Sequence, residues 1–138
     1  MPRPMMIRRS AALIALCLLM PLAEFTCAQE ITFIRAQVDS GKDLYKESCQ
    51  LCHGSSMVNG QFGTPLRGSY FQDKWNGKSV GELLTFVYEK MPPDKPMSLT
   101  PEQYTSAVAY ILSRNDMATA ETPMSTDKAT LVKVMLHW

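Results

Sequence analysis

Several common features are scarce or missing in this chain, and each absence removes a class of protein. The main apolar run, residues 11–20, is closed by Pro21. It falls short of the about 20 residues that a membrane-spanning helix needs. Neither sign of charge dominates, with 14 Lys and Arg against 13 Asp and Glu, so no basic face is available for nucleic acid. No segment shows the polar–apolar alternation of a half-buried strand. No internal repeat or low-complexity stretch stands out. Cysteine is sparse, with four in 138 residues.

The N-terminal segment reads as a secretory signal peptide over residues 1–28. Arg3, Arg8 and Arg9 precede the apolar run, and Thr26-Cys27-Ala28 supplies small residues for cleavage after Ala28. A retained anchor is the plain alternative. Cys27 raises a lipoprotein option, against which Glu24 and Phe25 stand, and Arg8-Arg9 faintly suggests twin-arginine export. Cleavage would remove Cys17 and Cys27 and leave Cys49 and Cys52 as the only thiols, so no disulfide framework is expected. The remaining residues 29–138 make one domain by length, with no transmembrane span in the mature form. A chain of that size has a modest core, burying about two-thirds of its unfolded surface.

Against this background Cys49-Gln50-Leu51-Cys52-His53 is the most informative stretch. Cys-x-x-Cys-His is the c-type haem attachment pattern. Thiols three apart on a helical turn lie on one side and reach one porphyrin edge, and the adjacent histidine is placed to ligate the iron. A bare Cys-x-x-Cys also suits a thioredoxin-like redox pair or half a zinc site. The first of these wants a βαβ setting and the second wants more Cys or His nearby, and neither is present in the pattern.

The remaining sequence predicts helices. Residues 29–37 read as an irregular leader. Asp39 or Ser40 is placed to cap a helix over residues 41–49, with Gly41, Tyr45, Ser48, Cys49 and Cys52 on one side. Gly41 either admits a close helix neighbour or is only a turn glycine. Residues 54–69 are punctuated as loop. A short helix is expected from Tyr70 to Trp75, stopped by Asn76-Gly77. Ser79 and Glu82 form a capping box for a helix to about Lys90, with Val80, Leu83, Leu84, Val87, Tyr88 and Met91 as its buried stripe. Pro92-Pro93 ends it. Thr100, Pro101 and Gln103 start the last strong helix, with Tyr104, Ala107, Val108 and Ile111 inward and Arg114-Asn115 closing it. Residues 128–138 suggest a short terminal helix or strand.

The second iron ligand decides the chemistry. A methionine saturates the iron and favours electron transfer, whereas an empty position admits gas or peroxide chemistry. Met57, Met91, Met97, Met117, Met124, Met135 and His137 are the candidates. Met91 is the best placed, because it follows its helix stripe and precedes Pro92, which drives it out of helical geometry. Met97, in the same proline-rich loop, is the rival.

The stretches GKDLYKESCQLCHG, TPLRG, SVGELLTFVYEKMPPDKP and SLTPEQYTSAVAYILSRN resemble a class I cytochrome c. More narrowly, they resemble the small monohaem cytochrome c domains and subunits associated with quinoprotein alcohol and sugar dehydrogenases. The resemblance implies an all-α fold of three main helices, with short helices and loops wrapped around one covalently bound haem c. The core would be about 39–115; the tail 116–138 matches little of the family, and its role is open, a partner-docking segment being one option. It implies haem attachment at Cys49 and Cys52 and iron ligation by His53 and Met91. It further implies a hydrogen bond from the His53 Nδ1–H to the Pro65 carbonyl, packing of Leu66 on the haem, and contact of Gly41 and Tyr45 with Tyr110. Trp75 would lie near the haem edge or a propionate, or be plain core. Met97 stands where relatives carry a small residue.

The function so implied is a periplasmic carrier of single electrons, not an enzyme. It would link a periplasmic dehydrogenase to an oxidase or another cytochrome of the respiratory chain. A tightly bound electron-transfer subunit of a quinoprotein dehydrogenase and, behind it, a five-coordinate gas- or peroxide-reactive haem protein are the alternatives.

Overall fold

A computed structural model describes residues 30–138; the expected signal peptide, with Cys17 and Cys27, lies outside the described residues. Six helices form there: α1 (Arg35–Ser48), α2 (Gln50–His53), α3 (Ser69–Trp75), α4 (Val80–Lys90), α5 (Pro101–Ser113) and α6 (Lys128–Leu131). Among the described residues there is no β-sheet, only an isolated bridge between Ser79 and Met135. No helix there is long and apolar enough to cross a membrane. The fold is all-α.

Local chemistry sets the starts of α4 and α5. The Glu82 amide donates to Ser79 Oγ at 3.1 Å, and the Ser79 amide donates back to the Glu82 carboxylate at 2.7 Å. These bonds satisfy amides that a helix start leaves without partners. They also hold the Glu82 carboxyl below its ordinary range, chiefly through the Ser79 amide. Thr100 and Gln103 repeat the device at α5, with Pro101 in the first turn.

The start of α1 corrects the sequence expectation. Residues 29–37 are not all leader, and neither Asp39 nor Ser40 is the cap; the helix begins at Arg35, with Ile34 at the cap position. The cap bond comes from Gln37 in the first turn, and tertiary bonds to Met124 hold that side chain in place. The Gln37 side chain accepts from the Ile34 amide at 3.3 Å and from the Met124 amide at 2.8 Å, and it donates to the Met124 carbonyl at 3.1 Å. Phe33 and Val38 are buried on either side of this turn.

The helices α1 and α5 form the central crossing. Gly41 is buried against α5, where a Cβ would run into the Ser106 carbonyl and meet Tyr110 Cβ. The close-approach reading of Gly41 is therefore the right one. One turn further on, the Tyr45 and Tyr110 rings meet edge to face at 5.6 Å between centroids.

The tail is also corrected. It is bound to its own domain, with Met124, Leu131, Val134 and Leu136 buried in the common core. The Val80 amide donates to Val134 O, the Leu136 amide to Lys78 O, and the Gly77 amide to Leu136 O, each at 2.8 Å. Gly81 lets α6 approach α4, since a Cβ there would stand 2.7 Å from the Val132 nitrogen. The packed core thus extends beyond residues 39–115 at both ends.

Candidate functional site

The tight turn of α2 gathers the residues of the Cys-x-x-Cys-His motif. After α1 the chain bends at Cys49, and the His53 amide donates to Cys49 O at 3.0 Å. This single turn brings Cys49, Cys52 and His53 to the same cavity. Tyr45 closes the turn from behind, its hydroxyl donating to the Gly54 carbonyl at 2.6 Å. The loop then folds back, and the Gly63 amide donates to Cys52 O at 2.9 Å. Gly63 lies against the imidazole so closely that a Cβ would fall 2.5 Å from His53 Nδ1.

His53 is buried, and its Nδ1 lies 2.8 Å from the Thr64 carbonyl. A carbonyl only accepts, so Nδ1 carries the proton and Nε2 keeps the lone pair a metal would use. The resemblance had implied the Pro65 carbonyl; the acceptor is the peptide group one residue earlier. Pro65 and Leu66 themselves line the cavity. The Leu66 amide is fixed to Met57 O at 2.8 Å, and the Leu66 carbonyl accepts from Asn115 Nδ2 at 2.9 Å.

The cavity measures about 370 Å³ and is walled by α1, α2, the 62–66 loop, α3, α4, the start of the 91–99 loop and α5. Its volume lies within the about 300–1,000 Å³ usual for cofactor sites. Its walls are mainly apolar. Leu83 and Val87 of α4, Tyr104, Ala107 and Ile111 of α5, and Phe71 and Trp75 of α3 all contribute. Trp75 is buried in the core and lines the cavity.

Met91 borders the same space as His53. It stands at the end of α4 in extended geometry (φ −130°, ψ 142°), as expected before Pro92. The other candidate ligands do not line this cavity. Met57 and Met124 are core residues, Met97 is 58% exposed, and His137 is exposed. Met97 also adopts positive φ, 61°, and its amide returns to Tyr88 O at 3.1 Å.

The residues present fit a covalent haem. Burial, and secondarily the neighbouring Cys52, push the Cys49 thiol up to about 11. Such a thiol stays protonated at neutral pH, unlike the depressed thiolate of a thioredoxin-type pair. A thioether places no charge in this apolar wall. Among the described residues, no three His, Cys, Asp or Glu side chains cluster as a further metal site.

Sequence reasoning missed two residues near the site. Asn115 is buried: its Nδ2 donates to both Leu66 O and Ile111 O at 2.9 Å, and its Oδ1 accepts from the Gly68 amide at 3.0 Å. It reads locally as a helix-ending asparagine. Tyr104 reads as a core position on α5, yet its hydroxyl donates to Met91 O at 3.0 Å.

An all-α domain that converges Cys-x-x-Cys-His and a methionine on one apolar cavity is a class I c-type cytochrome. The family model described as cytochrome c oxidase, cbb3-type, subunit III matches residues 36–111, more than half of the sequence, and the chain belongs to that family. Its domain is one of haem-based electron transfer. No curated protein and no solved structure matches the chain.

Proposed function

We propose that this protein is a periplasmic monohaem cytochrome c. Cys49 and Cys52 hold one haem c by thioether bonds, and His53 and Met91 are its axial ligands. The observation that carries this reading is that Met91, alone among the candidate second ligands, borders the cavity of His53.

When bound, the haem supplies a one-electron couple at its iron. The chain supplies the setting. The Thr64 carbonyl orients the imidazole and strengthens it as a donor. Met91 would supply a thioether as the second ligand, a donor that favours the reduced state. Leu66, Leu83, Val87 and Ile111 exclude water. Ligands retained in both oxidation states keep reorganisation small, as suits a carrier and not a catalyst.

Exposed apolar side chains offer partners a contact: Leu51, 88% exposed between the two cysteines, and Phe62, 79% exposed at the cavity. Such contacts suit brief encounters of small area. The donor is a periplasmic dehydrogenase, of the quinoprotein type by resemblance, and the acceptor an oxidase or another cytochrome. The nearly balanced charge gives weak steering and a weak dependence of partner rates on salt. The signal peptide expected from the sequence of residues 1–28 supports the location.

The test is spectroscopic. The oxidised protein should show the weak near-infrared sulfur–iron band, which Met91→Ala abolishes and Met97→Ala retains. A wild type that lacks the band and binds carbon monoxide readily when reduced refutes the ligation and the carrier role together. Intact mass should give one haem on a chain beginning at Gln29.

A further inference from the structure

Both peptide groups that flank the Met91 Cα are held in place. The Met91 amide donates to Val87 O at 2.9 Å, the last bond of the α4 ladder. The Met91 carbonyl lies past the helix end and is followed by proline, so a continued ladder does not serve it. Tyr104 of α5 reaches across to donate its hydroxyl there at 3.0 Å. Tyr104 is 1% exposed, and its ring packs edge to face on Tyr88 at 5.1 Å. The outer chain reinforces this wedge, since the Lys128 ammonium from the tail lies 4.1 Å from the Tyr88 ring centre. A core aromatic without a hydroxyl would fill the same volume; the hydroxyl ties α5 to Met91, which borders the His53 cavity.

We propose that Tyr104 is a positioning residue for Met91, its hydroxyl setting how readily the methionine sulfur leaves the iron. This rests on the reading of Met91 as the distal ligand. A thioether is a weak donor, so its bond depends on how little freedom the backbone loses on ligation. With the carbonyl tethered, mainly the Met91 side-chain torsions remain to be ordered. Without the tether the sulfur-off state gains loop freedom, and a competing ligand enters more easily.

Imidazole is the probe, added to oxidised, haem-loaded protein and followed by loss of the near-infrared sulfur–iron band. Tyr104→Phe should bind imidazole about two- to tenfold more tightly than wild type, the range of one net neutral hydrogen bond. Tyr104→Leu, which also removes the hydroxyl, should shift affinity in the same direction. Tyr88→Phe, which keeps the ring contact, should leave it unchanged. Urea unfolding followed by circular dichroism serves as the structural control. A Tyr104→Phe protein that loses stability but binds imidazole as wild type does overturns the proposal. In that case, loss of the band in Met91→Ala still upholds the ligand assignment. A wild type without the band overturns both.

Discussion

Met91 and Met97 share one proline-rich loop but meet different surroundings. Met91 ends a buried helical stripe and faces the cavity, while Met97 turns outward in the left-handed region. The same contrast holds at His53, whose pattern is local but whose orientation comes from Thr64 and Gly63 in the returning loop. Gly63→Ala should press a methyl group onto the imidazole and cost about 1–3 kcal/mol by overpacking. The expected outcome is a lower melting temperature and a smaller haem-bearing fraction by intact mass. Cys49 offers a second residue-scale measurement. In haem-free protein, mass-mapped alkylation of Cys49 should rise through a pH of about 11, where an ordinary thiol would rise near 9. Because the folded chain raises this value, the stability it contributes is full below about 9 and is lost as pH climbs towards 11. The thioether form has no such loss, so alkaline unfolding should separate the haem-free and haem-bearing proteins.

At the scale of elements, two kinds of helix start occur. Those of α4 and α5 are written locally, in Ser79-x-x-Glu82 and Thr100-Pro101-x-Gln103, and both were legible from the sequence. That of α1 was not, because Ile34 at the cap position offers no polar side chain, and the Gln37 side chain that accepts from the Ile34 amide is itself held by Met124, far along the chain. Ser79→Ala should cost about 1 kcal/mol in urea unfolding, and Thr100→Ala a similar amount. Only the first should alter the acid limb of stability. Folding lowers the Glu82 value, so its contribution is present above the ordinary carboxylate range and is lost as pH falls through the lowered one. In Ser79→Ala that part of the acid loss should shrink.

At the scale of the whole molecule, the tail decides whether the domain stands. Met124, Leu131, Val134 and Leu136 each bury a side chain worth about 1.5–3 kcal/mol. Together these rival the about 5–15 kcal/mol total stability of a typical domain. A chain truncated after Asn115 should therefore lose its cooperative thermal transition. A truncated chain that melts cooperatively near the full-length temperature would restore the tail to the role of a free docking segment. Trp138 adds a smaller link, donating from Nε1 to Asn115 O at 2.8 Å and packing edge-on against Phe71 at 5.9 Å between centroids.

What is short-range could be read from the residues alone: the spacing of Cys49, Cys52 and His53 on one turn, the capping boxes, the apolar stripe of α4 and the extended backbone before Pro92. Each depends on residues within a turn or two of one another, so spacing alone carries it. The tertiary structure decided what joins distant segments. It chose Thr64 over Pro65 as the partner of His53, made Asn115 a clamp on the Leu66 loop, drew the tail into the core and tied Tyr104 to Met91. These depend on which backbone groups lie opposite one another once α1 crosses α5, and no local pattern encodes that pairing.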